Sequence, residues 1–388
     1  MKKNISQQLL EFIENSPTCF HAVQAMTDIL SAEGFTELKE NQKWHIENGG
    51  RYFVTRNGSS LTAFTVPFQE MKGMHIIASH SDSPSFKIKE NPELESEGHY
   101  IRLNVEGYGG MIRAPWFDRP LSVAGRVIVK DKAQGGFRSI LVDIGRDLVM
   151  IPNLAIHMDR QINDSCKYNI QKDMLPIYGD LSAKGTFMKL IADTAGVPEE
   201  EILGHDLFLY NRQKGTVWGA SGEFLSCSRL DDLQCAFASL KGFLAGKRQE
   251  YLDVHCVLDN EEVGSGTKQG AASTFLYDTL TRIHTSANRP YINGGIVLKF
   301  SASQKYCTDG VSAAMFRDLC QRAGVPVQTF VNRSDMVGGS TLGNISNTQV
   351  ALNTVDIGLP QLAMHSPYET AGVKDTGYLI RAAEEFFC

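Results

Sequence analysis

The chain has 388 residues, of which 42% are hydrophobic and 21% charged, and a formal net charge of −6. That is room for two or three domains and a large core, and the acidic balance gives no electrostatic reason to expect a nucleic acid or an anionic membrane as partner. No uninterrupted apolar stretch approaches the span of a bilayer, and the eight cysteines are scattered without a C-x-x-C pair, so a zinc–thiolate site is not expected and a reduced, cytoplasmic protein is.

The opening MKKNISQQLLEFIENS carries two lysines, but Glu11 and Glu14 interrupt its apolar residues, so it reads as an amphipathic helix and not a signal peptide. Helical spacing runs over residues 6–33, and Pro17 divides them into two helices. RYFVTRN and SLTAFTVPF alternate like strands and meet at Asn57-Gly58, a strong hairpin signal. MHIIASH is a short apolar strand that ends on His80. From about Ile88 the texture turns to short β-rich runs: YIRLNVEG, PLSVAGRVIVK, RSILVDI, DLVMIPN and DLFLYN, with one helical patch, TFMKLIADTAGV. After Ser228 helix and strand alternate. LQCAFASLKGFLAG is helical and YLDVHCVLD a strand; ASTFLYDTLTRI and DGVSAAMFRDLCQRAG are helices; PVQTFVN, TQVALNTVDIG and TGYLIRAAEEFF complete the alternation. This predicts an α/β fold, a mostly parallel sheet flanked by helices built from residues 1–87 and 215–388, with a β-rich domain, 88–214, inserted.

In such sheets ligands sit beyond the carboxyl ends of the strands. Four polar clusters fall there: His80 and Asp82, Asp231-Asp232, Asp259 to Glu262, and His365. Two carboxylates 4 Å apart repel by roughly 4 kcal/mol at an effective dielectric near 20, so the crowding of Asp259, Glu261 and Glu262 needs a cation, a shared proton or solvent. Imidazole and carboxylate are the usual non-thiolate zinc ligands. In a metal site Asp231 is the candidate to bridge two cations. One of the adjacent glutamates would coordinate and the other stay free as general base, and Asp82 would hold the His80 ring from behind.

ASHSDSP, SRLDD, DNEEVGS and LAMHS, in this order, resemble the aspartyl aminopeptidase family of cocatalytic zinc metallopeptidases. The intervening GYGGMIRAPWFDRPLSVAGRV, IPNLAIHMDR, NRPYINGGIVLKFSASQKY and SDMVGGSTLG are similar to it too. The resemblance implies a zinc-peptidase-like domain interrupted by a β-rich dimerisation domain, and a homo-dodecamer built from dimers. It implies removal of N-terminal residues from peptides, and two Zn2+ per subunit, for which Co2+ or Mn2+ can substitute. His80 and His365 would each ligate one metal, Asp231 would bridge, and Glu262 would ligate the metal shared with His365. Glu261 would be the general base, with Asp82 behind His80. His157 resembles the histidine that reaches a neighbouring subunit's site; the alternative is a histidine packed in an apolar strand.

The sequence also departs from the family. A further aspartate ligand to the His80 metal stands in a stretch that would fall between Ile283 and His284, and that stretch is absent here. Asp335 belongs to a different segment and does not replace it. Where acid-preferring members carry a lysine ahead of the glutamine, this chain has Ser303 before Gln304-Lys305-Tyr306, which leaves acidic and neutral N-terminal residues both open. Lys305 and Tyr306 are candidate substrate contacts, as is the glycine-rich turn with Met336, Gly338 and Gly339. That turn lacks the Gly-Lys-Ser/Thr of a phosphate loop. The rival functions are a related metal-dependent amidohydrolase or deacylase, and a non-enzymatic or one-metal particle lacking that ligand.

Overall fold

The computed structural model describes residues 4–68, 71–132, 135–165, 167–246, 250–287, 290–302, 305–331, 341–362, 364 and 369–388. They form two compact units, Met1–Thr279 and Leu280–Cys388.

The first unit opens with α1 (Ile5–Glu14) and α2 (Cys19–Ala32). Asn4 caps α1 with a capping box: its side chain accepts from the Gln7 amide at 2.8 Å, and Gln7 accepts from the Asn4 amide at 3.1 Å. Strands β1 (Thr36–Leu38), β2 (Arg51–Arg56), β3 (Ser60–Thr65) and β4 (Gly73–His80) follow. The β2–β3 loop, residues 57–59, has positive φ at both Asn57 and Gly58 and sets Arg56 opposite Ser60.

The next strands are β5 (Ser85–Ser96), β6 (Tyr100–Tyr108), β7 (Leu121–Lys130) and β8 (Phe137–Asp143). The one-turn helix α3 (Ile170–Asp173), β9 (Ile177–Asp180), α4 (Phe187–Ala195) and β10 (Ile202–Asn211) come after them. Their sheet, ordered β8-β7-β10-β5-β6-β9, is antiparallel throughout. Phe86, Leu103, Val123 and Leu207 pack on Phe187 and Ile191 of α4 to make its core. DLVMIPN, expected as a β run, contributes only isolated bridges at Val149, Met150 and Ile151.

A small hairpin, β11 (Thr216–Trp218) and β12 (Phe224–Ser226), leads to α5 (Leu230–Ala245) and β13 (Tyr251–Leu258). β13 enters the first sheet, giving the order β1-β2-β3-β13-β4. β1/β2 and β4/β13 run parallel, whereas the hairpin and β3/β13 are antiparallel, so the parallel strands expected are present within a mixed sheet. Apolar residues of α1, α2 and α5, among them Phe12, Met26, Leu30 and Phe237, cover one face against Phe53, Leu61 and Val257. The β4/β13 register sets His80 opposite Leu258, so the chain leaves both strands side by side at one sheet end.

α6 (Phe275–Ala287) crosses the boundary between the units. In the second unit β14 (Ile296–Phe300), α7 (Gly310–Arg322), β15 (Val327–Val331), α8 (Leu342–Gln349) and β16 (Ile357–Gly358) are followed by β17 (Gln361–Leu362), β18 (Thr370–Ala371) and α9 (Asp375–Phe387). β14 pairs parallel to β15 and antiparallel to β16 around a core of Ile296, Leu319, Cys320, Val325 and Ala382. TQVALNTVDIG is mostly irregular. Its first residues finish α8, Val350 and Leu352 are exposed, and only Ile357–Gly358 finds a strand partner, in β14.

Candidate active site

β4 delivers His80 to the sheet end. Its Nδ1 lies 3.2 Å from Asp82 Oδ1 and 3.1 Å from the Asp82 carbonyl oxygen. A proton on Nδ1 serves both, which turns Nε2 towards Asp231 Oδ1, 3.3 Å away. Asp231 and Asp232, at the start of α5, are joined by a cis peptide and have non-helical dihedrals. The Asp231 side chain is 82% exposed, while Asp232 is tucked in, its Oδ2 accepting the His80 amide at 3.1 Å.

β13 ends in a tight turn. Asn260 has a left-handed backbone, φ 62°, and Glu261–Val263 form one 3-10 turn. Both glutamate amides donate to Asp82, Glu261 to Oδ1 at 3.1 Å and Glu262 to Oδ2 at 3.2 Å. The Tyr108 hydroxyl donates to the same Oδ2 at 2.7 Å. Asp82 is only 3% exposed; burial opposes its charge, but these bonds and His80 outweigh it and hold its pKa below the ordinary carboxylate value.

The result is one histidine among several carboxylates. His80, Asp231 and Glu262 each offer a ligand atom, and all three atoms lie within 4.8 Å of one another. Burial disfavours a charged His80 ring, yet the hydrogen bond and charge of Asp82, with Asp232 and Glu261, raise its pKa to about 9. Burial and the neighbouring charges of Asp231, Asp82 and Glu261 push Glu262 up, against the pull of His80. Both shifts say the same thing: this place calls for positive charge. An imidazole plus two carboxylates suits a divalent zinc ion, and the donor set fits.

Asp259 stands apart. It is 3% exposed, its amide donates to Ser60 Oγ at 2.9 Å, and its Oδ2 accepts from Gln269 at 3.2 Å. Burial raises its pKa. The acidic run thus divides into one buried structural carboxylate and two glutamates turned to the site.

His80, Asp82, Asp231, Glu261 and Glu262 are brought together in the first unit. His365, Met336, Gly338 and Gly339 lie outside the described residues. Lys305 and Tyr306 are in the second unit, where Tyr306 is 8% exposed, 6.4 Å from the Phe330 ring and capped by the Lys299 ammonium at 5.7 Å. His157 sits in an exposed turn with Leu154, Ile156 and Met158 also exposed, not packed in a strand. The sequence reading did not single out Tyr108 or Asn260, and it named Asp232 only with Asp231 as a polar cluster, with no role of its own. The signal for the first was a tyrosine ending a β run directly before Gly109-Gly110. A cavity of about 390 Å3 borders the site, lined among others by Asp82, Ser83, Tyr108, Trp116, Phe208 and Asp231.

The family described as Aminopeptidase I zinc metalloprotease (M18) matches residues 12–287 and 280–387. A probable M18 family aminopeptidase 2 of Clostridium acetobutylicum is 45% identical over 424 aligned residues, covering 98% of both chains. Its namesake in Pseudomonas aeruginosa is 38% identical over 429, covering 100% of this chain and 99% of the relative. Both alignments are longer than this chain, and the family match breaks into pieces that overlap at 280–287, around the Ile283–His284 join.

Among solved structures, the Ape4 and Nbr1 complex contains a chain 32% identical with a TM-score of 0.68, covering 98% of this chain and 85% of that one. The S. cerevisiae mApe1 dodecamer is 27% identical with a TM-score of 0.63, at 99% and 96% coverage. An M18 aminopeptidase from Thermotoga maritima, at 21% identity and a TM-score of 0.61, shares the fold over 98% of this chain and 95% of its own. Agreement over nearly the whole length, in sequence and in fold, makes this chain a member of the M18 family of zinc metallo-aminopeptidases, a hydrolase of peptide bonds.

Proposed function

We propose that the chain removes N-terminal residues from peptides at a zinc centre held by His80, Asp231 and Glu262, with His365 as a further ligand. The observation that carries this reading is the convergence of three ligand atoms within 4.8 Å at the ends of β4 and β13 and the start of α5. Zinc, when bound, supplies polarisation of the scissile carbonyl and acidification of the attacking water. The chain's own groups do the rest. Asp82 fixes the His80 tautomer through Nδ1, and Asp231, whose side chain is 82% exposed, would bridge two cations. Glu261 is anchored by its amide on Asp82 while its side chain stays exposed. Its carboxylate takes the water's proton and passes it to the leaving amine. Glu261→Gln keeps the shape and removes the proton acceptor; kcat should fall about 10²–10⁴-fold with zinc content unchanged. A variant with full kcat would sink the assignment.

Two zinc ions per subunit are proposed, with cobalt or manganese able to replace them. The candidate substrates carry either an acidic or a neutral N-terminal residue. Assembly into a homo-dodecamer built from dimers is supported by the dodecameric S. cerevisiae neighbour and by the exposed apolar turn around His157, which we assign to contact with a neighbouring subunit's site. A cytoplasmic setting accords with the described cysteines, all of which are free thiols, and among the described residues no helix is long and apolar enough to cross a membrane.

A second reading, a one-metal or inactive particle, is favoured by one observation: the relatives align over more positions than this chain has, and the family match breaks near Ile283–His284. Intact mass with zinc analysis separates the two. A mass near 42.9 kDa with one zinc per chain favours the second reading. A mass several kDa higher, with peptides mapping to the join, and two zinc ions favours the first.

A further inference from the structure

The inserted antiparallel sheet does more at the site than border it. β6 ends on Tyr108, whose ring meets the Phe208 ring edge-on, centroids 5.6 Å apart at 83°. That packing fixes the direction of the phenol. Its hydroxyl donates to Asp82 Oδ2 at 2.7 Å and accepts from Asn260 Nδ2 at 2.8 Å. Asn260 is itself fully committed, because its Oδ1 accepts from Thr267 at 2.7 Å and Gln269 at 2.9 Å. The hydroxyl therefore joins the carboxylate behind His80 to the residue that opens the glutamate turn. The next residue presses on the same turn. Gly109 has φ +74°, and a Cβ built there would lie 3.0 Å from Glu262 Cβ and 3.4 Å from the Glu262 carbonyl oxygen. A side chain there would crowd the turn and strain the backbone.

We infer that Tyr108 is a positioning residue for the reaction: by tying Asp82 to Asn260, it holds the His80 ring and the Glu261–Glu262 turn in one fixed arrangement. The inference rests on the metallopeptidase reading above. Asp82 Oδ2 is shared by Tyr108 and the Glu262 amide, while Oδ1 serves His80 and the Glu261 amide. A carboxylate gripped on both oxygens cannot rotate to follow one partner without abandoning another. Without the phenol, Oδ2 keeps a single backbone donor at 3.2 Å, and the His80 ring and the glutamates no longer move as one. Partners one step behind metal ligands commonly matter 10–100-fold in metal affinity or activity.

The test is Tyr108→Phe, with Tyr210→Phe as control. Tyr210 lies in the same sheet and donates to Asp143 at 2.7 Å, so its variant loses a comparable tyrosine–aspartate bond away from the carboxylates of the site. Zinc affinity by chelator competition and the absorption spectrum of the cobalt-loaded protein are read beside kcat and KM. Tyr108→Phe is expected to weaken zinc binding about 10–100-fold and alter the cobalt spectrum, and to lower kcat by a similar factor with KM within about twofold. Tyr210→Phe is expected to leave all four unchanged. Wild-type zinc affinity and kcat in Tyr108→Phe, or equal losses in both variants, would overturn the inference. A wild-type protein that binds zinc but hydrolyses no peptide defeats the peptidase reading alone, and the affinity comparison still decides the role of Tyr108; one that binds no zinc defeats both.

Discussion

Asp82 accepts from His80, Tyr108 and two backbone amides while almost wholly buried, which makes it the residue on which the arrangement turns. The opposite case is His255, fully buried in β13, where neither ring nitrogen has a hydrogen-bond partner. Burial lowers its pKa from 6.5 to about 4. The folded state therefore resists a proton that the unfolded chain takes up below pH 6.5. The stability cost is absent above 6.5, grows as pH falls, and is complete near pH 4, at about 3 kcal/mol. His255→Leu should be increasingly more stable than the parent from pH 6.5 down to 4, as read by denaturant melts. His21, also lowered to about 4 by burial, keeps its own share of the acid sensitivity in both proteins. A stability difference that does not change with pH would contradict this. Residues of this kind divide by legibility. His80, Asp82, Asp231 and the two glutamates could be picked out because strand ends and residue chemistry are both written in the sequence. Tyr108 could not, because its partner Asp82 lies in the turn between β4 and β5, and only that turn at residues 81–84 and the β5–β6 pairing bring the two together.

At the scale of elements, the β2–β3 hairpin was readable from Asn57-Gly58, yet its tip has a role that local sequence did not reveal. Arg126, on β7 of the inserted sheet, donates to the Asn57 carbonyl at 2.6 Å and to Asp206 at 2.9 Å, with its guanidinium 4.2 Å from the Phe20 ring centre. One side chain thus ties hairpin, α2 and inserted sheet. Arg126→Met should lower unfolding stability by about 2 kcal/mol, because Asp206 keeps Lys87 as a partner and is not left wholly unpaired. Zinc affinity should hold, since none of these groups touches Asp82 or the ligands; loss of zinc binding would show that the hairpin tip bears on the site. The parallel strands and helices followed from their periodicity. TQVALNTVDIG misled because β-branched residues read as strand wherever they stand, while pairing depends on a neighbour, here found only at Ile357–Gly358.

For the whole molecule, a mixed sheet supplies the ends of β4 and β13, α5 supplies the aspartates, and an antiparallel sheet leans in with Tyr108 and Gly109. The class of chemistry was legible because imidazole and carboxylates at strand ends suit few tasks. The choice of substrate was not, since Ser303 stands where acid-preferring members carry a lysine, and the candidate contacts Met336, Gly338 and Gly339 lie outside the described residues. The most direct test is release of N-terminal residues from short peptides by the zinc-loaded protein, measured on free peptides and on the same peptides N-acetylated, with Glu261→Gln as blank. The account predicts stepwise release from free peptides, none from acetylated ones, and loss of at least about two orders of magnitude in the variant. No release from any free peptide, or cleavage confined to the acetylated set, would contradict it.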